Sequence, residues 1–150
     1  MRVIIQRVSQ ASVKVDGKLI SEIGQGVLIL VGITHTDDIN DVAYLTNKIV
    51  HLRIFNDSHH RMNLSLQDIN GEILCVSQFT LYADTKKGNR PSYIEAANTE
   101  MAIKIYESFC DSLSDKIGRK IQQGIFGANM QVELLNDGPV TIILDSNTTK

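Results

Sequence analysis

The sequence predicts an α+β fold: a single domain with a barrel-like sheet of antiparallel and mixed strands and two main helices. Three observations carry this. β-Branched segments come in hairpin-like groups, only two stretches have helical periodicity, and the strand-helix alternation of a doubly wound sheet is missing. A length of 150 residues favours one domain. A chain of this size removes about 69% of its unfolded surface from water on folding, enough for a real core.

Residues 3–15 are β-branched and run into Asp16-Gly17, a tight-turn dipeptide, so two antiparallel strands are expected. Gly24-Gln25-Gly26 then leads into Val27-Leu28-Ile29-Leu30-Val31. This apolar run lacks alternation, which marks a central strand covered on both faces. Thr36, Asp37 and Asp38 precede apolar residues at Ile39, Val42, Ala43, Ile49 and Val50. Their spacing predicts a helix over about 37–50, with Thr36 as its cap and acids in its first turn.

A short strand at 52–55 is followed by the polar turn Asn56-Asp57-Ser58-His59-His60-Arg61. His59 and His60 are read as solvated: neighbours on an extended chain point apart, and no cysteine or carboxylate pair stands at ligand spacing. Residues 72–83 read as a second strand run and 84–92 as a basic loop, after which Ser92 and Glu95 have capping-box spacing. Ala102, Ile105, Tyr106, Phe109 and Leu113 predict a helix over about 99–115 whose stripe packs in the core. Strands are expected near 120–122, 130–135 and 140–144, with breaks at Gly124-Ile125-Phe126-Gly127-Ala128 and Asn136-Asp137-Gly138-Pro139. The domain is expected to span 1–145, with 146–150 a polar, fraying tail.

Composition narrows the function. Fifteen basic and seventeen acidic side chains give a net charge of −2, against a broad phosphate footprint on long duplexes but not against a grip on a short nucleic-acid end. The longest apolar run, 27–31, is far too short to span a membrane, and the N-terminal apolar stretch breaks too early for a secretion signal, so the cytoplasm is the expected address. Cys75 and Cys110 lack CxxC spacing and read as reduced, packed thiols. There is no GxSxG, HExxH, GxxxxGK[ST] or helix-opening GxGxxG, so neither metal nor cofactor is expected.

Two polar constellations remain. Ser77-Gln78-Phe79-Thr80-Leu81 interrupts a strand-like run, so its side chains face a cleft or satisfy internal hydrogen bonds. In Asn136-Asp137-Gly138-Pro139-Val140-Thr141, Pro139 lacks the amide a following strand would use; the segment is either a plain turn or an exposed, stiff tip.

These motifs, with Gln6-Arg7-Val8, Leu52-Arg53-Ile54-Phe55, Met62-Asn63, Lys87-Gly88-Asn89-Arg90-Pro91-Ser92, Phe126-Gly127-Ala128-Asn129-Met130 and Leu144-Asp145-Ser146, resemble the D-aminoacyl-tRNA deacylase (D-tyrosyl-tRNA deacylase) family over nearly the whole chain. The resemblance implies that family's fold and a cytoplasmic homodimer. It implies hydrolysis of the ester joining a D-amino acid, or achiral glycine, to the terminal adenosine of tRNA, with L-aminoacyl-tRNA spared. By the same resemblance Gly138-Pro139, with a cis peptide bond, enters the partner's pocket. Backbone amides near Phe79 and Thr80 stabilise the oxyanion, Ser77 and Gln78 shape the pocket, and Phe126 and Met130 sandwich the terminal base.

The attacking group stays open between the Thr80 hydroxyl and water assisted by a ribose hydroxyl. The second is favoured because the ester is reactive and needs chiefly positioning and charge stabilisation. Rigid carbonyls at the tip would admit hydrogen or the amino group at the α-carbon and collide with an L side chain. Lys86, Lys87 and Arg90 either meet acceptor-end phosphates or belong to a solvated loop. Rival readings are a tRNA 3′-end-binding module without turnover and a related deacylase with a trans Gly-Pro tip that clears a mischarged L-amino acid.

Overall fold

The computed structural model describes residues 1–149, in which the elements run β1 (Arg2–Val15), β2 (Lys18–Ile23), β3 (Gly26–Gly32), α1 (Ile39–His51), β4 (Phe55–Asn56), β5 (Met62–Leu64), β6 (Glu72–Ser77), a 3-10 turn (Phe79–Tyr82), α2 (Thr99–Ile117), β7 (Gln122–Gln123), β8 (Gln131–Asp145) and a 3-10 turn (Ser146–Thr149). The sheet follows the path β2-β1-β3-β6-β7, with β8 on the free edge of β1. β1 pairs antiparallel with β2, β3 and β8, whereas β3-β6 and β6-β7 are parallel. At 14 residues β1 is long enough to serve β3 with its first half and β2 with its second. The Ser21 hydroxyl donates to the Gln123 carbonyl at 2.8 Å, which brings β2 beside β7 and nearly closes the sheet into a barrel. The α+β expectation holds.

Local chemistry explains the first elements. Asp16 and Gly17 both have positive φ, 49° and 75°, the pairing that matches strand twist in a two-residue hairpin. β3 lies between β1 and β6 and faces two cores. Val27, Ile29 and Val31 pack with Val42, Leu45 and Ile49 of α1 and Phe109 and Leu113 of α2, while Leu28 joins Val8, Val13, Leu74 and Val76 inside the barrel. That double burial is why its sequence does not alternate.

Several boundaries differ from the sequence expectation. α1 is capped by Asp38, not Thr36: the Asp38 carboxylate accepts from the amides of Asn40 and Asp41, and the Asp41 carboxylate accepts the Asp38 amide at 2.9 Å. α2 is capped by Asn98, which accepts the Met101 amide at 3.0 Å, and not by Ser92. The 72–83 run splits into β6 and a 3-10 turn, and the strands expected at 130–135 and 140–144 are one strand, β8. At the start of the expected tail, Ser146 is buried, its amide donating to the Met1 carbonyl at 2.9 Å and its hydroxyl accepting from the Met1 ammonium at 2.7 Å. Lys150 lies outside the described residues.

Candidate active site

The site begins where β6 ends. Ser77 stands opposite Val31 in the parallel ladder, and the Gln78 amide closes that ladder onto the Val31 carbonyl at 2.7 Å. The chain then rolls into the 3-10 turn, with the Leu81 amide on the Gln78 carbonyl at 3.2 Å and the Ala83 amide on the Thr80 carbonyl at 3.0 Å. Gly32 makes room for it: a Cβ there would lie 2.9 Å from the Leu81 Cβ and 3.2 Å from the Gln78 carbonyl oxygen. The amides of Phe79 and Thr80 open the turn, where by position no carbonyl of the turn accepts them. The Gln78 side-chain amide donates to the Thr80 hydroxyl, which fixes that hydroxyl's orientation.

A cavity of about 270 Å³ opens beside this turn, lined by Ser77, Gln78, Phe79, Phe126, Asn129 and Met130 over a floor that includes Val31 and Val76. Phe126 is held against Tyr106, ring centroids 5.6 Å apart. The Tyr106 hydroxyl and the Gly124 amide both donate to the Cys75 carbonyl, at 2.9 and 3.0 Å, so the aromatic wall is tied to β6. Gly127, with φ 76°, turns the chain between Phe126 and Met130. The Met130 sulfur sits over Gly124, 2.5 Å from where a Cβ would be. An aromatic face and a polarizable thioether over an apolar floor suit a flat heteroaromatic ring. Among the described residues, no side chain that titrates lines the cavity. Burial pushes the nearby Cys75 thiol and Tyr106 hydroxyl up, so neither supplies a nucleophile or base near neutral pH.

Gly138 and Pro139 stand elsewhere. The β1-β8 register passes from Gln6↔Thr141 to Val8↔Asn136, so residues 137–140 bulge out opposite Arg7 alone. Arg7 is 7% exposed; its Nε donates to the Asp137 carbonyl at 2.7 Å and its Nη1 to the Ile54 carbonyl at 2.6 Å. Asn136 closes the bulge from inside, accepting the Val140 amide at 2.8 Å and donating to the Thr141 hydroxyl at 3.1 Å. Gly138 has φ 150°, and a Cβ on it would stand 2.7 Å from the Val140 nitrogen. The Gly138-Pro139 peptide is cis, and Asp137, Gly138 and Pro139 are exposed.

The structure thus brings together five expected residues, Ser77, Gln78, Phe79, Phe126 and Met130, at one cavity. Thr80 follows Phe79 in the turn and is bonded to Gln78 without lining the cavity, while Gly138 and Pro139 form a tip that does not line the cavity of their own chain. Lys86, Lys87 and Arg90 are exposed on a loop whose base is fastened by two Asp84-Ser92 backbone hydrogen bonds, 2.8 and 2.9 Å. Gly32 is a support that sequence reasoning did not name, and Arg7 and Asn136 stood within quoted motifs without a role of their own. For Arg7 a signal existed: an arginine inside a strand otherwise destined for burial needs buried acceptors.

The family model described as D-Tyr-tRNA(Tyr) deacylase matches residues 4–145. The D-aminoacyl-tRNA deacylase of Porphyromonas gingivalis is 63% identical over 98% of this chain and 98% of its own length, and that of Flavobacterium psychrophilum is 60% identical over 97% of each. Among solved structures, one described as c-Myc DNA Unwinding Element Binding Protein is similar with a TM-score of 0.92 and 44% identity, over 97% of this chain and 99% of that one. A probable eukaryotic D-amino acid tRNA deacylase shares the fold, with a TM-score of 0.82 at 18% identity over 95% and 97% of the two chains.

Proposed function

The chain belongs to the D-Tyr-tRNA(Tyr) deacylase family, and from that premise we propose that it clears D-amino acids from tRNA with the cavity at the end of β6 as its active site. It is a D-aminoacyl-tRNA deacylase, an ester hydrolase. Water adds to the ester carbonyl, the bond to the ribose oxygen breaks, and a free D-amino acid and tRNA leave.

One observation carries the assignment of roles: the cavity has an aromatic and a thioether wall at one side, the opening amides of a 3-10 turn at the other, and no titratable lining side chain among the described residues. The terminal adenine lies between Phe126 and Met130. That directs the ester toward the amides of Phe79 and Thr80, which donate to the developing oxyanion; one such donor contributes about 10²–10³-fold in rate. Ser77 and Gln78 hold the acyl end, and Gln78 also engages the Thr80 hydroxyl. With no side-chain base at hand, the neighbouring ribose hydroxyl assists the attacking water.

Selection by handedness falls to the cis-linked Gly138-Pro139 tip. It is exposed and outside the cavity of its own chain; in this reading a second copy supplies it, within a cytoplasmic homodimer. Arg7 and Asn136 brace the tip, so its carbonyls exclude an L side chain sterically while admitting hydrogen. Glycine has no side chain to exclude, and glycyl-tRNA is therefore also a substrate. Lys86, Lys87 and Arg90 meet phosphates of the acceptor end.

Purified protein at substoichiometric concentration, incubated with D-tyrosyl-tRNA and L-tyrosyl-tRNA side by side and with a chelator control, tests the reading. Loss of the D-ester alone is expected. Equal loss of both would remove the tip as a chiral filter, and binding without release of amino acid would leave a 3′-end-binding module.

A further inference from the structure

Phe79 belongs to two surfaces. It reaches the cavity, yet it is 57% exposed. Tyr93 stands edge-on against its ring, centroids 5.0 Å apart and planes at 70°, and is itself 40% exposed. Tyr93 follows directly on Ser92, the residue whose backbone pairs with Asp84 to close the basic loop. The Asp84 carboxylate is turned onto that loop's own backbone, accepting the Lys86 amide at 2.9 Å. Among the described residues Lys86, Lys87 and Arg90 have no carboxylate partner. A chain of net charge −2 therefore places two exposed rings beside the cavity, at the base of a loop that carries three cations without a carboxylate partner among the described residues. Two rings left this exposed stabilise the fold little by burial.

We infer that Phe79 and Tyr93 form a second nucleotide subsite, on which the cytidine preceding the terminal adenosine stacks while the adjoining phosphates meet Lys86, Lys87 and Arg90; this rests on the adenosine occupying the Phe126-Met130 cavity. The 3′ end of tRNA is single-stranded, so its base faces are free to stack. Stacking on an aromatic ring tolerates any base, and phosphate contacts carry no sequence information. Both properties suit an enzyme that must serve many tRNAs. The cations select a polyanion over an apolar protein surface.

The test compares D-tyrosyl esters of adenosine alone and of the trinucleotide C-C-A, with binding of unacylated C-C-A and adenosine measured in parallel. The trinucleotide ester is expected to have about a tenfold lower KM, as one stacked base contributes. Tyr93→Leu should erase most of that advantage and Tyr93→Phe should keep it. Replacing Lys86, Lys87 and Arg90 by Gln should flatten the log-log salt dependence of trinucleotide binding by a slope of about 1.4, the share of its two phosphates. Equal KM values for the two esters in the wild type, or an equal rise in both with Tyr93→Leu, would overturn the subsite and leave the deacylase reading intact. If neither ester is hydrolysed but the wild type prefers C-C-A and Tyr93→Leu loses that preference, the subsite stands and the deacylase reading falls. Dissociation of a dimer by Tyr93→Leu with trinucleotide preference unchanged would assign the rings to a second copy of the chain and overturn the subsite.

Discussion

Arg7 holds the backbone of Asp137 from the opposite strand: its Nε donates to the Asp137 carbonyl at 2.7 Å, and it is the only β1 residue facing the four-residue bulge 137–140. The same guanidinium reaches the Ile54 carbonyl at 2.6 Å, so the tip is braced against the segment leading into β4 as well as against β1. A lysine keeps the charge but cannot bridge both carbonyls with a planar fork. Arg7→Lys is therefore expected to cost about 2 kcal/mol in chemical denaturation through lost charge-assisted hydrogen bonds. It should erode the ratio of D- to L-tyrosyl-tRNA hydrolysis further than it erodes hydrolysis of the D-ester. A variant that loses stability with the D/L ratio intact would show that Arg7 supports the fold and not the filter.

How far such features are legible depends on where their cause lies. The Asp16-Gly17 turn and the doubly buried β3 follow from residues within a few positions, and both were readable. Thr36, Asp37 and Asp38 are all competent caps by residue type. The choice among them is made far away, because the Asp37 carboxylate is taken by the Thr34 amide and the Met1 ammonium. β6 stops at Ser77 because Gly32, on another strand, leaves space for the turn, and β8 stays one strand because β1 pairs with both of its halves. The cavity-lining residue types were visible as polar interruptions and as the Phe126 to Met130 motif. Tyr93 carried no signal, since its meaning comes from contact with Phe79.

Stability should fall at high pH. Cys75 and Tyr106 have ordinary values of 9.0 and 10.0, and burial raises both in the folded chain. The unfolded chain releases these protons first, so the contribution of the neutral, buried forms is complete below pH 9 and declines as pH rises past the unfolded values. Each group adds up to about 1.4 kcal/mol per pH unit of decline while it is ionised only in the unfolded state. Denaturation between pH 7 and 11 should show this slope. Tyr106→Phe should cost about 1 kcal/mol at pH 7, by losing the bond to the Cys75 carbonyl, and yet reduce the slope above pH 10. An unchanged slope would mean that Tyr106 does not resist ionisation.

Gly32→Ala should damage catalysis more than folding. The added Cβ meets the Leu81 Cβ at 2.9 Å and the Gln78 carbonyl at 3.2 Å, so the 3-10 turn must move away from β3. A shift on the order of 1 Å in catalytic groups costs about 10²-fold in rate. The expected result is a kcat/KM for D-tyrosyl-tRNA reduced by about that factor. Binding of free adenosine should be kept, because Phe126 and Met130 lie on a different segment of the cavity wall. Loss of adenosine binding in parallel would show that the cavity, and not the turn alone, collapses.

Thr80→Ala separates the two possible attacking groups. The Thr80 hydroxyl accepts a hydrogen bond from the Gln78 side chain, and Thr80 does not line the cavity. Among the described residues no titratable side chain lines the cavity, and the side chain bonded to the Thr80 hydroxyl is the Gln78 amide, which is not a base and does not raise its nucleophilicity. If the terminal ribose hydroxyl assists water, Thr80→Ala should retain activity within about tenfold, the cost of one ordinary contact. A substrate whose terminal adenosine lacks that hydroxyl should then lose far more, and the two losses should multiply, since they act on different partners. A fall exceeding about 3 kcal/mol in transition-state stabilisation for Thr80→Ala, with the deoxy substrate little affected, would make the threonine the nucleophile and reverse the assignment.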